Sequence, residues 1–543
     1  MRRRIASIVD SAHDTTDDGR RLRLVLVAMT LANAMILVDQ TAVPLALPDI
    51  MKSFGVGSQS VQWVLNASLL PLAGLLVFGG RLGDLIGRRR VFTIGAVLFA
   101  GASAVGGLAP GLGVLLAARV AQGIGGALML PATVAIVSAA FPASARGRAL
   151  GTMGGAAAVA AALGPTIGGL LTSAFSWRAV LMINVPLAVL AVVLARRHVA
   201  ADPVVPDGSR HIDRSGTVLL SLALVGVVFG LSQSQSWGWS SAGVLGPLVV
   251  AVLAGAGFVV RERRATMPLV DFALLRHRNY LGASLSQLLA GMAEIGLGVI
   301  FPLLLILNLE MSPALAGLAL IPTTLPMIVV APLAGRWYDH AGGRPPLVTG
   351  FLLLAVSGVA MALAVDAASF GQPGAGSYLA LLPGLLLYGI GLSLVLSVND
   401  PVSLDTIADE DQGQASGVSA TAEQFGGALG IAILYSIFHS TYVDRLHAGV
   451  RASPLPDLSD ASYAAMRSAL EAAESTGLHP HSFDPALRGY LGVARHAANS
   501  GYTVTFVAVA VLSAVAAGLV AWLVRRPEAV DEEPAVPHPP QST

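Results

Sequence analysis

The 543-residue chain has no cysteine, a single lysine and few charged residues, and each scarcity excludes a class of protein. Without cysteine there can be no disulfide framework, thiol nucleophile or cysteine-ligated metal. No glycine-rich phosphate-binding loop leads into Lys52, so the chain does not resemble an ATP-driven pump. Only 12% of the residues are charged and the net charge is +1. Because nucleic-acid binders concentrate basic charge in one patch, we expect no nucleic-acid partner.

Catalytic and metal-binding motifs are also missing from the sequence. It contains neither the H-E-x-x-H pattern of zinc proteases nor the G-x-S-x-G pattern of serine hydrolases. The eleven histidines lie mostly outside the apolar runs. We therefore expect no enzyme, no metal site and no bound cofactor.

Long apolar runs dominate what is present. Hydrophobic residues make up 54% of the chain, and the mean hydropathy is +0.71. A helix needs about 20 mostly apolar residues to cross a bilayer. On that scale the sequence predicts fourteen spans, at 24–46, 61–80, 91–109, 112–140, 149–172, 178–195, 216–232, 243–260, 280–307, 314–335, 346–366, 379–404, 414–439 and 501–524.

The distribution of basic residues predicts the orientation of these spans. Arginine and lysine accumulate in short cytoplasmic loops. If the N-terminus lies inside, the alternate short loops carry seventeen arginines, whereas the opposite short loops carry only Lys52 and Arg178. The prediction is a protein with both termini in the cytoplasm, in agreement with an even number of spans.

An internal repeat links the loops after predicted spans two and ten. The first loop, 80–90, reads GRLGDLIGRRR, and the second, 335–344, reads GRWYDHAGGR. Glycine, arginine, aspartate and glycine recur in register. A shift of eight spans equals one six-span bundle plus two inserted spans, which predicts two six-helix bundles with an extra pair of spans between them.

Four short motifs give the chain a family resemblance. Residues 80–90 match G-x-x-x-D-x-x-G-R-[KR]-[KR]. Residues 37–48, LVDQTAVPLALP, are similar to L-D-x-T-V-V-N-V-A-L-P, with Pro44 where asparagine is usual. Residues 119–123, RVAQG, and 164–169, GPTIGG, resemble R-x-x-Q-G and the antiporter motif G-P-x-x-G-G. Over nearly its whole length the chain resembles the major facilitator superfamily, specifically its fourteen-span drug:proton antiporters.

The resemblance implies an all-α integral membrane protein with the major-facilitator fold. Two six-helix bundles would flank two inserted helices. The expected organisation is a cytoplasmic N-terminus at 1–23, an N-terminal bundle at 24–197, cytoplasmic linkers with the inserted spans at 198–278, a C-terminal bundle at 279–524 that includes an outer loop at 440–500, and a disordered cytoplasmic tail at 525–543.

Charged residues within the spans are the first candidates for function, because a charge at the centre of a bilayer is costly. Asp39 and Arg119 lie at similar predicted depths in spans one and four and could meet. A neighbouring guanidinium favours an ionised carboxylate, whereas apolar burial favours a neutral one. We expect Asp39 to exchange protons under the influence of Arg119; a fixed structural ion pair is the alternative.

Two further acids lie in the second half of the chain. Glu294 is near the middle of predicted span nine, the repeat partner of span one, and Glu423 is in span thirteen. Either could be a second proton-coupling site or a counter-charge for a cationic substrate. Glu423 could instead be an interfacial acid near a helix start.

Glycine-rich segments supply candidates for moving parts. The resemblance assigns the antiporter motif to Gly164, Pro165, Gly168 and Gly169. Together with Gly151, Gly154 and Gly155, these small residues would let helices approach closely and slide. In the loop after span two, Asp84 could accept hydrogen bonds from a helix N-terminus and latch the bundles. The predicted cytoplasmic gate comprises Gly80, Asp84, Gly87, Arg88 and Arg89 with Arg336 and Asp339 from the second copy.

Polar side chains on the inner faces of the spans could line a central substrate cavity. The candidates are Asn33, Gln40, Gln62, Asn66, Gln122 and Gln287, with Asn184 and Asn399 as further members. Abundant Leu, Met, Ala and Phe in the same spans favour amphipathic organic molecules over sugars.

These observations predict a multi-pass protein of the bacterial cytoplasmic membrane. The family resemblance implies a proton-coupled antiporter, which we expect to be monomeric and to export lipophilic cationic or neutral drugs or antibiotics by alternating access. Its partners would be the small-molecule substrate, protons and the lipid bilayer, and the proton-motive force would drive it without a cofactor. A dedicated exporter of one endogenous metabolite or lipid, and a transport-dead sensor or scaffold, remain alternatives.

Overall fold

Helices account for all regular structure in the residues that the computed structural model describes, which are 2–202, 213–265, 268–270, 272–367, 376–405, 407, 412–452 and 490–525. Fourteen helical spans are long and apolar enough to cross a membrane, as the sequence predicts, and the sixth, Trp177–His198, includes a short helix that precedes α6. The main helices of these spans are α1 (Arg2–Phe54), α2 (Trp63–Ile86), α3 (Arg88–Gly107), α4 (Leu112–Ala140), α5 (Ala143–Ala174), α6 (Asn184–His198), α7 (Arg214–Trp237), α8 (Ala242–Glu262), α9 (Arg278–Pro302), α10 (Ile321–Ala341), α11 (Arg344–Asp366), α12 (Gly376–Leu404), α13 (Gln412–Arg451) and α14 (Leu491–Leu523).

Short helical segments extend or precede several of the spans. The helix Trp177–Met182 precedes α6, a π-helical segment Leu303–Asn308 continues α9, and the helix Pro313–Ala319 precedes α10. Short helices Ser58–Val61 and Leu274–Arg276 lie in connections. Helices are the expected solution in lipid, because every backbone polar group must find its partner within the chain.

Several predicted boundaries are wrong, because tertiary packing extends helices past the apolar runs. Helix α1 continues to Phe54, eight residues beyond the predicted end at 46. The predicted outer loop 440–500 shrinks at both ends, since α13 runs to Arg451 and α14 begins at Leu491. The extension of α13 is stabilised by Tyr442 and Leu446, which are fully buried. The predicted disordered tail lies outside the described residues except for Arg525.

The repeat inferred from two loops extends to the packing of the whole molecule. Helix pairs in the first six spans recur eight helices later: α1 with α5 and α9 with α13, α2 with α4 and α10 with α12, α3 with α4 and α11 with α12, and α3 with α6 and α11 with α14. Two six-helix bundles with the same internal arrangement therefore flank α7 and α8.

The bundles meet along two seams. In the first seam, α5 packs against the helix Pro313–Ala319 and α10; in the second, α2 packs against α13. We call the side of the molecule that carries 88–90 the inner side, after its predicted cytoplasmic location, and the opposite side the outer side. The inserted hairpin lies on the second seam, because α7 contacts both α2 and α13.

Burial differs between the two sides of the N-terminal bundle. Its outer parts, including Val43, Leu47 and Leu65, share one hydrophobic core with residues of the C-terminal bundle such as Leu304 and Ala316. Its inner parts form a separate core made of residues from the N-terminal bundle. The two bundles are therefore joined at the outer side and keep distinct cores toward the inner side.

Candidate functional site

A buried ion pair joins α1 and α4 in the interior of the N-terminal bundle. The Nη1 atom of Arg119 lies 2.5 Å from Oδ2 of Asp39, and the side chains are 1% and 4% exposed. Arg119 also donates to the Val64 carbonyl oxygen from Nε, at 2.7 Å, and to Ser68 Oγ from Nη2, at 2.6 Å. The meeting of Asp39 with Arg119 is thus confirmed, with α2 supplying two further acceptors for the guanidinium.

The second carboxylate oxygen of Asp39 is held by amides from other helices. Asn184 at the start of α6 donates from Nδ2 to Oδ1 at 2.8 Å, and Gln122 on α4 reaches the same oxygen at 3.4 Å. Gln122 also donates to Ser103 Oγ on α3 at 2.6 Å and accepts from Arg119 at 3.0 Å. Residues of five helices therefore belong to one hydrogen-bond network around the Asp39 carboxylate, and α4 and α6 supply the direct donors. A buried ion pair needs such additional hydrogen bonds to offset the cost of desolvation.

The predicted acids of the C-terminal bundle have a different environment. Gln287 on α9 donates from Nε2 to Oε2 of Glu423 on α13. Its own amide oxygen accepts from Asn399 Nδ2 on α12 at 2.5 Å. Oε2 of Glu294 is buried without a hydrogen-bond partner among the described residues. In that part of the chain no salt bridge involves Glu294 or Glu423.

One amide hydrogen bond joins the two bundles. Gln40 on α1 donates from Nε2 to Oε1 of Gln424 on α13 at 2.9 Å. Each partner follows a candidate acid in the sequence, since Gln40 comes after Asp39 and Gln424 comes after Glu423. The bridge therefore brings the two acid-bearing helices within side-chain reach of each other.

The remaining predicted cavity residues do not share one lining. Gln62 and Asn66 on and before α2 are almost fully buried, and both Asn66 side-chain polar atoms and Gln62 Oε1 lack partners among the described residues. Gln122 and Gln287 belong to the hydrogen-bond networks already described. Only Asn33 and Gln40 are half-buried.

A further acid lies inside a predicted span but is not among the candidates chosen from the sequence. Asp400 lies inside the predicted span 379–404 and, in the structure, on α12 next to Asn399. It is exposed, and it lies within electrostatic range of Glu423. The intramembrane position of its carboxylate was the signal that could have found it.

The glycines of α5 divide into two groups. A side chain at Gly164 or Gly168 would collide with Thr41 or Ala42 on α1, and one at Gly169 would collide with the Pro313 backbone. The antiporter motif therefore packs against its own bundle and against the opposite one. In contrast, Gly151, Gly154 and Gly155 have no neighbouring atom within 4 Å of the point where a side chain would begin, so the prediction of close approach there is wrong for this conformation.

The inner loop after α2 is held by an acid that the sequence did not single out. Asp202, after α6, accepts from the backbone N–H groups of Arg89 at 2.8 Å and Arg90 at 3.0 Å, at the N-terminus of α3. Arg88 donates to the Ala135 carbonyl at 3.2 Å and Arg89 to the Val199 carbonyl at 3.0 Å. These contacts join the N-terminal bundle to the segment that directly follows it, and none of them involves the C-terminal bundle.

The two acids of the predicted cytoplasmic gate lie in helices rather than in loops. Asp84 lies in the last turn of α2 rather than in a loop, because the helix continues to Ile86 before Gly87 breaks it with a positive φ of 107°. Asp339 likewise lies within α10, where Arg336 and Asp339 are exposed. In the second copy, Tyr338 instead donates to Asp405 Oδ2 at 2.5 Å, tying α10 to the end of α12.

Solved structures of two other proteins share the fold of this chain. A bacterial homologue of the human lysosomal transporter Spinster, in an inward-facing conformation, has a TM-score of 0.60 at 15% identity and covers 94% of this chain and 99% of its own. A D-xylose-proton symporter has a TM-score of 0.53 at 16% identity, covering 75% and 88%. At these identities the likeness establishes the fold alone.

Relatives found by sequence have a higher identity to this chain than these two structures do. The tetracenomycin C resistance and export protein of Streptomyces glaucescens is 34% identical over 447 residues, which are 82% of this chain and 81% of that protein. A puromycin resistance protein of Streptomyces alboniger is 35% identical over 426 residues, covering 76% and 81%. The Major Facilitator Superfamily model matches residues 29–431. Since this match runs from the middle of α1 to the middle of α13, the chain belongs to the Major Facilitator Superfamily.

Proposed function

We propose that this protein exports lipophilic, drug-like or antibiotic molecules across the bacterial cytoplasmic membrane in exchange for protons. Relatives named for resistance to or export of tetracenomycin C, puromycin and lincomycin support the class of cargo. A relative from Mycobacterium tuberculosis is a multidrug resistance protein. Fourteen apolar spans place the chain in the membrane as a multi-pass protein.

The observation that carries proton coupling is the buried Asp39–Arg119 pair. A proton on Asp39 would leave the charge of Arg119 without its partner, 1% exposed in the membrane interior. An uncompensated charge there is costly. Protonation would therefore favour a rearrangement that either hydrates Arg119 or gives it another acceptor, and α1, α2, α3, α4 and α6 all contribute to the network that would move.

The packing of the bundles supports alternating access as the route of transport. The bundles share a core at the outer side and have distinct cores toward the inner side. Rocking about the contact between Gln40 and Gln424 would exchange these two arrangements. An inward proton gradient supplies about 1.4 kcal/mol per pH unit, and the membrane potential about 2.3 kcal/mol per charge for each 100 mV.

The test is drug accumulation in an efflux-deficient bacterial strain that expresses the protein. We expect the wild type to lower cellular ethidium and puromycin, and a protonophore to abolish the difference. Asp39→Asn should accumulate drug as the empty strain does, whereas Asp366→Asn, at an exposed acid on the outer end of α11, should behave as wild type. Export that persists with the protonophore, or in Asp39→Asn, would contradict the proposal.

A dedicated exporter of one metabolite is the second candidate. It is favoured by relatives whose names each specify a single antibiotic, such as a cephamycin export protein of Amycolatopsis lactamdurans. The same strain tested with tetracenomycin C, puromycin, lincomycin and ethidium in parallel separates the two. Resistance to only one compound would support the dedicated exporter, and resistance to several would support the broader one.

A further inference from the structure

The two seams between the bundles are closed to different extents. At its outer end the first seam is tight. Thr166 Oγ1 on α5 donates to the Gly317 carbonyl at 3.2 Å, and the backbone N–H of Ala314 donates to Ser173 Oγ at 3.0 Å. Gly169 and Gly317 each lie directly against the backbone of the opposite bundle. No side chain larger than hydrogen fits at these two positions, so the outer end of this seam is sealed by backbone contact.

Toward the inner side, the same face of α5 is not packed against the opposite bundle. Residues 14 and 18 positions before Gly169 return to nearly the same face of a helix with 3.6 residues per turn. These are Gly155 and Gly151, both exposed, and neither has an atom within 4 Å of where a side chain would begin. The inner half of α5 is buried along one face only, through Ala149, Met153 and Ala157.

Helix α10 mirrors this exposure from the other bundle. Ile321 and Ile328, which follow Ala314 at seven-residue intervals, are 37% and 46% exposed. Gly335, seven residues further, has no neighbour within 4 Å. The first seam is therefore closed at its outer end and open between α5 and α10 toward the inner side.

The second seam is covered at the corresponding depth. Gly417 on α13 lies 3.7 Å from Val77 on α2, measured from the position of an added Cβ. Helix α7 packs over both helices. Ser221 Oγ lies 3.4 Å from the Gly74 carbonyl oxygen, and the rings of Phe229 and Trp63 are 5.5 Å apart. No residue from Trp63 to Gly83 is exposed.

The walls of the open seam are suited to the bilayer interior. Residues 149–163 of α5 and 321–335 of α10 contain no charged side chain. Fifteen helical residues rise about 22 Å, which exceeds one hydrocarbon leaflet of about 15 Å. Exposed Arg146, Arg148 and Arg336 follow at the inner ends of both walls, where guanidinium groups would meet lipid phosphates.

We propose that amphipathic substrates enter the transporter sideways, from the inner leaflet, through the opening between α5 and α10. This proposal rests on the proposed export function and on the orientation predicted from the arginines. The substrate would slide its apolar part between the uncharged walls while its polar part stays near the arginine rim. Since α7 covers the other seam, entry is one-sided, and the inserted hairpin determines which seam lipid-dissolved molecules can use.

The absence of cysteine makes the opening directly measurable in proteoliposomes. A bimane fluorophore on Gly155→Cys should be quenched by lipids that carry a nitroxide on the acyl chain, and little by aqueous iodide. The matched probe on Gly417→Cys, at the covered seam, should show less than about half of that lipid quenching because α2 and α7 shield it. Quenching at Gly155→Cys by iodide alone, or equal lipid quenching at both positions, would overturn the proposal.

A plug in the opening tests its role in transport. Gly155→Trp should lower the transport rate of the membrane-soluble dye Hoechst 33342 by about tenfold, because the indole occupies the path. The control is Val252→Trp on α8, where Val252 is 70% exposed, and its transport rate should stay within about twofold of the wild-type rate. Unchanged transport by Gly155→Trp would overturn sideways entry. Failure of the wild type to transport any compound would instead refute the export function, and the quenching pattern would still report on the opening.

Discussion

Asp39 and Arg119 lie 80 residues apart in the sequence and 2.5 Å apart in the structure. Their pairing is supported on both sides. Asn184 and Gln122 donate to Oδ1 of Asp39, the carboxylate oxygen that Arg119 does not contact. Val64 and Ser68 accept hydrogen bonds from the guanidinium of Arg119. Each buried charge is neutralised by the other. Removing one of the two residues would therefore leave the remaining charge buried and unpaired, and the first prediction follows from the cost of that state.

Replacement of Arg119 by glutamine should destabilise the protein strongly. Breaking a buried ion pair by removing one partner costs about 3–5 kcal/mol. We expect a large drop in the thermal unfolding temperature of the detergent-solubilised protein, with Arg119→Gln/Asp39→Asn less affected than Arg119→Gln alone. The control is Arg197→Gln at an exposed arginine of α6, for which the change should stay within about 0.5 kcal/mol. Equal stability of Arg119→Gln and this control would show that the pair is not compensating buried charge.

The amide bridge between the bundles should appear as an energetic coupling. In a double-mutant cycle, Gln40→Leu and Gln424→Leu should be non-additive by about 0.5–1.5 kcal/mol, the net contribution of a typical hydrogen bond. The combination of Gln40→Leu with Asn308→Leu should be additive, because Asn308 bonds to Asn499 instead. Chemical unfolding in mixed micelles measures both cycles, and additivity in the first would mean that the 2.9 Å contact contributes nothing.

Asp202 should stabilise the inner end of the N-terminal bundle. It accepts from two backbone donors in the first turn of α3, so Asp202→Ala should cost about 0.5–2 kcal/mol, as other N-cap deletions do. Asp202→Asn keeps an acceptor oxygen and should recover most of that loss. Hydrogen exchange of the amides at 89–91 reports the effect locally, and protection unchanged in Asp202→Ala would contradict the assigned cap.

The two groups of glycines on α5 should respond oppositely to an added side chain. An added Cβ at Gly168 would lie 2.7 Å from the Ala42 Cα, so Gly168→Leu should destabilise by about 1–3 kcal/mol or prevent folding. Gly154 has open space around it, and a glycine in a helix is less favourable than alanine by about 0.5–1 kcal/mol. Gly154→Ala should therefore be neutral or stabilising in a thermal unfolding assay. Equal destabilisation at both sites would place α5 differently from the structure.

Glu294 should be required for the transport of cationic substrates but not of neutral ones. Its carboxylate has no cationic partner among the described residues, so it is free to pair with a cationic drug. Glu294→Gln should lower ethidium transport by about tenfold, equivalent to about 1.4 kcal/mol, and leave a neutral drug within about twofold. Parallel loss of both transports would instead assign Glu294 to proton coupling.

The sequence predicted the elements whose signal is local. Fourteen apolar runs gave the spans, and the repeated loop motif gave the eight-helix shift that recurs in the packing. The pairing of Asp39 with Arg119 followed from the cost of unpaired charges in lipid. In each case the signal comes from a single segment of the sequence or from a single type of residue.

The missed features depend on contacts between distant segments. Nothing near Asp202 in the sequence indicates that it caps α3, and nothing near Gln424 indicates a bond to Gln40, 384 residues away. Helix ends were misplaced where packing, as at Tyr442, extends a helix through polar residues. Whether Gly155 faces a neighbour or an opening depends on the conformation of both bundles, which composition does not encode.

The central claim, proton-coupled export through Asp39, is tested most directly by proton movement in proteoliposomes. A pH-sensitive dye sealed inside the vesicles would follow proton flux when ethidium or tetracenomycin C is added under an imposed pH gradient. We expect drug-triggered proton flux with the wild type, the same flux with Asp366→Asn, and none with Asp39→Asn. Drug-triggered proton flux that is undiminished in Asp39→Asn would contradict the account.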